Sequence, residues 1–250
     1  MTPQREETPS INDHPSEPSR SAGRDLKDVY AAYDASPAVR SRWSGENPGN
    51  AAMLRERECV LENMLRSRAG TPLEQCRVLD AGCGWGHLMG WLARVGVPAG
   101  NLTGVDVMPN RLVSARASYP EFEFIEADLS DPGLASESVD LVVCSTLFSS
   151  IMDDAMAARV ASNLRRLLCR DGAVVWYDIR YPNPWNRAVR PLGRGAIRRL
   201  FPDLVPSLRS LTLLPQLSRR LGPAIGAYPL LAELPPLRTH LGGLLETAHA

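Results

Sequence analysis

Val78-Leu79-Asp80-Ala81-Gly82-Cys83-Gly84-Trp85-Gly86 is a short apolar strand that passes through one carboxylate into three alternating glycines, and a helical pattern follows it. Glycines at a strand-to-helix turn let the backbone approach a ligand closely, because no Cβ intervenes and positive φ costs little. Asp80 stands at the strand end, ahead of the first glycine. A carboxylate there holds a cationic amino group and repels a pyrophosphate. The run thus predicts an α/β layer with a ligand seat at the C-terminal end of its first strand, and a ligand that carries positive charge.

The strand-helix period continues downstream. Arg77 to Asp80, Asn101 to Asp106, Phe122 to Glu126, Val139 to Ser145 and Ala173 to Ile179 read as strands separated by helical segments. Strands this apolar, joined by helices, indicate a parallel sheet covered on both faces. Beyond Tyr181 the chain is punctuated by proline. A sixth strand is expected over Leu208 to Leu214, a helix over Ala224 to Leu234 and a closing strand over Arg238 to Glu246. Upstream, residues 1–23 are rich in Pro, Ser, Glu and Arg and are expected to be disordered. Residues 24–70 carry two helices, Leu26 to Tyr33 and Ala51 to Arg66, with Asn47-Pro48-Gly49-Asn50 as a break and Asn50 as the start signal of the second.

Val78 to Gly86 resembles the first motif of the class I S-adenosylmethionine-dependent methyltransferases, and the resemblance extends from about Arg77 to Arg180. It implies a Rossmann-like, doubly wound α/β fold with a mostly parallel seven-stranded sheet and helices on both faces. It further implies S-adenosyl-L-methionine as cofactor, with the core spanning residues 71–250 and a substrate-side insertion at about 181–217. Asp80, Gly82, Cys83, Gly84 and Gly86 would seat the methionyl part. Asp106, about twenty residues past the glycines, is placed to accept from both hydroxyls of a ribose, and a nicotinamide dinucleotide would satisfy it equally. Val107 follows it toward the adenine face. The resemblance puts the adenine-binding acid at Asp128, with the Leu129 amide donating to a ring nitrogen. Ser145, at the exit of the fourth strand, would lie beside the methyl group.

Methyl transfer from a sulfonium asks a protein mainly to align the nucleophile and, where needed, remove a proton. Tyr177-Asp178-Ile179-Arg180-Tyr181 emerges at the sheet edge where ligands of such folds bind. Tyr177, Arg180 and Tyr181 are candidates for acceptor contact, with Phe148 after the fourth strand and Trp43 before the long helix. Asp178 is a candidate general base, the alternative being an internal Asp–Arg pair. His240 is a second candidate base, against a capping or solvent-facing histidine. The arginines at 187, 190, 194, 198 and 199 read either as an anion site or as a solvated helix face.

The acceptor implied is a small organic molecule with an O, N or C nucleophile, of the kind met in specialised metabolism. Formal net charge is zero, which gives no long-range attraction for nucleic acid or an anionic membrane. The exit of the fourth strand also lacks the Asn/Asp-Pro-Pro-aromatic signature of amino-methylating nucleic-acid enzymes. Five cysteines without a CxxC pair read as reduced thiols of a cytoplasmic protein. No cluster with metal spacing is evident, so no metal is expected. Two other readings stay open: a nicotinamide-dependent oxidoreductase, for which GxGxG is the wrong glycine spacing, and a non-catalytic S-adenosylmethionine-binding protein.

Overall fold

The computed structural model describes Ala35, residues 45–182 and residues 189–247. The expected tail at 1–23, the helix at Leu26 to Tyr33, Trp43 and Arg187 lie outside the described residues. Seven strands form one sheet in the order β3-β2-β1-β4-β5-β7-β6. They are β1 (Val78–Ala81), β2 (Leu102–Asp106), β3 (Glu123–Glu126), β4 (Val139–Ser145), β5 (Leu168–Ile179), β6 (Leu204–Leu213) and β7 (Arg238–Thr247). The first five are parallel, and β7 runs antiparallel between β5 and β6. The chain builds outward from β1 to β3 and then returns to β4 on the other side of β1. This reversal opens a crevice beyond the strand ends of β1 and β4, where doubly wound folds bind ligands.

Seven α-helices accompany the strands among the described residues: α1 (Pro48–Ser67), α2 (His87–Arg94), α3 (Pro109–Ser118), α4 (Asp154–Leu167), α5 (Arg194–Leu200), α6 (Pro215–Arg220) and α7 (Tyr228–Ala232). Alternate strand residues supply two separate cores. Leu79, Val142, Val174 and Trp176 face α4 and α5. Val78, Leu141, Val143 and Val175 face α1, α2 and α3, where Leu61, Leu65, Leu92 and Leu112 cover them. Both faces are thus sealed, which is why these strands carry few polar residues. No helix among the described residues is long and apolar enough to cross a membrane.

Several boundaries differ from those expected. The segment 47–50 is the start of α1, not a break: Asn47 is the N-cap, and its side chain accepts from the amides of Gly49 and Asn50, with Pro48 in the first turn. Asn50 is instead buried and accepts from Arg219 Nε at 2.9 Å. β5 begins at Leu168 rather than Ala173, because Leu168 already pairs with Val139 across an irregularity that absorbs Arg170 to Gly172. β6 begins at Leu204 despite Pro206, which an edge strand tolerates. The outer edge of β6 is occupied by side chains: Arg194 donates to Leu208 O at 2.6 Å, Arg238 to Ser210 O at 2.9 Å, and Thr212 N–H donates to Glu56 at 3.0 Å. Such plugging protects an edge against pairing with another chain. The helix expected at Ala224 to Leu234 is a 3-10 segment over Gly222–Ala227 followed by α7.

The described residues of 181–217 do not form the roof over the strand ends. α5 packs on the opposite face, where Ile197 and Phe201 join the core. Residues 214–237, between β6 and β7, close over α1 instead. Ser218 Oγ donates to Gly49 O at 3.0 Å, and a Cβ on Gly49 would lie 2.2 Å from Ser218 O, so only glycine permits this approach. Beneath it Met53, Leu213, Tyr228 and Ala232 form a small separate cluster.

Candidate functional site

Asp80, next to last in β1, is almost fully buried, at 2% exposure, and its Oδ2 has no hydrogen-bond partner among the described residues. Burial raises its pKa to about 7, Arg57 opposing the shift and Asp106 adding to it. A buried carboxylate left without a donor is unfavourable and suits a cationic ligand group. The glycine turn follows. Gly82, Gly84 and Gly86 all take positive φ, at 77°, 53° and 77°, and a Cβ on Gly84 would meet nothing within 4 Å, so the loop is open to a ligand there. Gly84 N–H donates to Asp106 Oδ2 at 2.9 Å, and Met108 N–H donates to Asp106 Oδ1 at 2.8 Å. Asp106 is therefore fixed with one bond per oxygen, each oxygen keeping capacity for a ribose hydroxyl.

Asp128 is exposed beyond β3, and its Oδ1 accepts from Ser130 N–H at 2.7 Å. Leu129 is buried and Val107 half-buried. Ser145 ends β4, half-buried. Because Asp80 pairs with Val143 and Ser145 with Tyr177, the side chains of Asp80, Ser145 and Tyr177 share one face of the sheet. Cys83 departs from expectation. Its N–H donates to Val105 O, its carbonyl accepts from Gly86 N–H, and its thiol packs where a Cβ on Gly104 would stand. It braces the turn and offers the cofactor no backbone group.

On the acceptor side the structure corrects more. Phe148 is fully buried, stacked on Trp176 at 5.2 Å between ring centroids and edge-on to Phe201 at 5.9 Å, so it is a core residue and not an acceptor contact. Asp178, at 1% exposure, accepts from the amides of Ser149 (2.9 Å) and Ile179 (2.8 Å). Burial raises its pKa to about 6 against those hydrogen bonds. It holds the turn after β4 on the face opposite Tyr177, its carboxylate engaged by amides and, among the described residues, not paired with an arginine. Arg180 donates to Ser210 Oγ, to the Tyr181 hydroxyl and to Pro235 O, and its guanidinium lies 4.2 Å from the Tyr181 ring centroid. This pair ties the β5 exit to the roof, with Tyr181 still partly exposed.

His240 lies flat on Tyr177, 4.7 Å between centroids, and its Nδ1 is 2.9 Å from Thr239 Oγ1. Burial, helped by Arg57, lowers its pKa to about 3. It is neutral at pH 7 and a weak base. Its unfolded-state pKa of about 6.5 means that the unfolded chain takes the proton first, so stability is lost as pH falls below about 6.5 toward 3. His240→Phe is expected to flatten this acid limb in urea unfolding measured between pH 7 and pH 4. The described arginines of the suggested anion site do not converge: Arg190 donates to Phe148 O, Arg194 to Leu208 O, and Arg198 and Arg199 are exposed. Among the described residues no group of His, Cys, Asp or Glu could hold a metal ion.

Sequence reading missed Arg57. Met53, Leu61 and Leu65 form the buried stripe of α1 at intervals of four and eight residues, and Arg57 occupies the missing position of that stripe. A charged residue in an apolar stripe was the available signal. Its guanidinium lies 5.4 Å from the Tyr177 ring centroid, its Nε is buried without a hydrogen-bond partner among the described residues, and the nearest carboxylate, Glu58, is 3.9 Å away. A carboxylate oxygen and a guanidinium nitrogen on neighbouring elements are thus each buried without a hydrogen-bond partner among the described residues.

The sheet order and the helices on both faces give the chain the fold of the class I methyltransferases. Residues 78–172 match the family model described as "Methyltransferase domain". The structure is similar to N-methyltransferase NodS from Bradyrhizobium japonicum WM9, solved with S-adenosylhomocysteine (TM-score 0.65, 15% identity, covering 90% of this chain and 100% of that one). It is also similar to the 4+2 cyclase SpnF (TM-score 0.62, 15% identity, 91% and 98%). A third likeness is to an S-adenosylmethionine-dependent methyltransferase from Mesorhizobium loti (TM-score 0.54, 19% identity, 74% and 96%). No curated protein matches the chain by sequence.

Proposed function

We propose that the chain is an active methyltransferase that transfers the methyl group of S-adenosylmethionine to a small organic acceptor held between the ends of β4, β5 and β7. The carrying observation is a pair of buried atoms without hydrogen-bond partners among the described residues, Asp80 Oδ2 and Arg57 Nε. A zwitterionic amino acid between them satisfies both, its ammonium toward Asp80 and its carboxylate toward Arg57. Asp106 then holds the ribose and Asp128 the adenine edge. When bound, the cofactor supplies a methyl group already activated on a sulfonium. The protein's part is to orient the acceptor and exclude water, and Ser145, Tyr177 and Tyr181 are the wall assigned to it.

The two bases expected from the sequence do not support proton removal: Asp178 is engaged by amides, and His240 binds protons only in acid. This favours an acceptor whose nucleophilic atom is reactive without a strong protein base. The oxidoreductase alternative is disfavoured by Asp80, whose carboxylate stands where a pyrophosphate would approach the turn. Two measurements test the proposal. Asp106→Ala is expected to weaken S-adenosylhomocysteine binding by about 1–3 kcal/mol in calorimetry, through loss of a charged acceptor. Incubating the protein with S-adenosylmethionine and a panel of alcohols, phenols, amines and carbon acids is expected to give one methylated product by mass. Cofactor binding with no turnover of any acceptor would favour the non-catalytic reading.

A further inference from the structure

Thr212 has φ = 67°, a left-handed conformation that a β-branched residue adopts only when its surroundings force it. Buried at 1% exposure, it stands where the β6–β7 ladder skips a pair, between Leu211↔His240 and Leu213↔Arg238. Three contacts hold it there. Its N–H donates to Glu56 Oε2 at 3.0 Å, its carbonyl accepts from Thr239 Oγ1 at 3.2 Å, and its hydroxyl is 2.8 Å from the Tyr177 hydroxyl. The same Glu56 oxygen accepts from the Tyr228 hydroxyl of the roof at 2.6 Å. Burial, with Glu56 second, raises the Tyr228 pKa, as expected of a phenol donating to a carboxylate. One carboxylate oxygen of α1 therefore ties together the roof, the strained end of β6 and, through Thr212, the hydroxyl of Tyr177.

Glu56 is followed in the chain by Arg57. The two lie on the same turn of α1, one directed to Thr212 and Tyr228, the other toward Asp80 and Tyr177. We propose that Glu56 is a positioning residue that couples cofactor binding to assembly of the acceptor wall: a cofactor that draws Arg57 in seats α1, and α1, through Glu56, locks Thr212, Tyr228 and the Tyr177 hydroxyl in place. This rests on the reading of Arg57 as a cofactor ligand and Tyr177 as acceptor wall. The cofactor then tightens a wall whose contacts Glu56 already makes, so the acceptor binds best after the cofactor. A purely structural Glu56 would change how stable the roof is, but not how the roof answers to cofactor.

Amide hydrogen exchange with and without S-adenosylhomocysteine separates the two. In the wild-type protein, saturating S-adenosylhomocysteine is expected to slow exchange at Thr212, Leu213 and the 228–232 segment by about tenfold or more. In Glu56→Ala, calorimetric affinity for S-adenosylhomocysteine is expected to change by less than about threefold, because the cofactor's own ligands remain, while this ligand-induced slowing disappears. Glu56→Gln keeps an acceptor oxygen and restores the slowing, which guards against a misfolded alanine variant. S-adenosylhomocysteine binding that slows these amides equally in wild type and Glu56→Ala, or in neither, overturns the coupling alone. Failure of the wild-type protein to bind S-adenosylhomocysteine overturns the cofactor reading, and the coupling with it.

Discussion

Asp80→Asn is expected to make the cofactor-free protein more stable at pH 8 and to weaken S-adenosylmethionine binding by about 100-fold or more. Both effects follow from one buried carboxylate without a donor. Its pKa is about 7 in the folded protein and about 3.9 in an unfolded chain. Between these values the folded state binds more protons than the unfolded state, so stability falls as pH rises from about 4 to about 7, and the full penalty remains above that. At about 1.4 kcal/mol per pH unit the linkage is bounded near 4 kcal/mol. A gain of the order of 2 kcal/mol is the expectation for Asn, since Arg57 loses a favourable neighbour. The cofactor ammonium requires the ionised form, so wild-type affinity should fall toward tenfold per pH unit below pH 7, and the Asn variant should lose that dependence. Urea unfolding and calorimetry at pH 5, 6, 7 and 8 read both. An Asn variant that is less stable at pH 8 and binds normally would show that Asp80 is structural.

Phe148→Ala is expected to destabilise the fold by about 3–5 kcal/mol and to lower the melting temperature by roughly 6–20 °C for a domain of this size. Phe148 fills the space between Trp176 and Phe201 under α4 and α5, with no exposed surface. Its removal leaves a cavity that Trp176 and Phe201 cannot close by small rotations. Phe148→Leu should recover most of the loss, because it keeps much of the volume. A variant with unchanged melting temperature and an altered response to acceptor would instead return Phe148 to the acceptor wall.

These two residues show where the sequence could be read and where it could not. The placement of Asp80 and Asp106 was legible because each lies at or beside the C-terminal end of an apolar strand, the end at which doubly wound sheets bind ligands. The glycines between them were legible because positive φ at Gly82, Gly84 and Gly86 leaves few other residues possible. Phe148 and Asp178 occupy equally suggestive positions beyond β4 and β5. Their fate depended on how the turn at 148–150 folds back, and this turn buries Phe148 and spends the carboxylate of Asp178 on the Ser149 amide. That is a tertiary event with no local signature.

The acceptor side was least legible for a related reason. Its roof comes from 214–237, a proline-rich stretch whose docking onto α1 depends on the close approach of Gly49 to Ser218. Thr212 becomes strained only through the register of β6 against β7. Glu56 and Arg57 read as ordinary helix charges until the stripe of Met53, Leu61 and Leu65 shows that they point inward. Strand ends announce chemistry through single residues, whereas this wall is assembled from three segments that meet only in the folded chain.

The central claim is that the turn after β1, with Asp80, Asp106 and Arg57 around it, binds S-adenosylmethionine. Isothermal titration of the protein at pH 8 with S-adenosylmethionine and with NADH tests it most directly. The account predicts one S-adenosylmethionine per chain, with affinity reduced in Asp106→Ala and Arg57→Met, and no NADH binding; tight NADH binding without S-adenosylmethionine binding would contradict it.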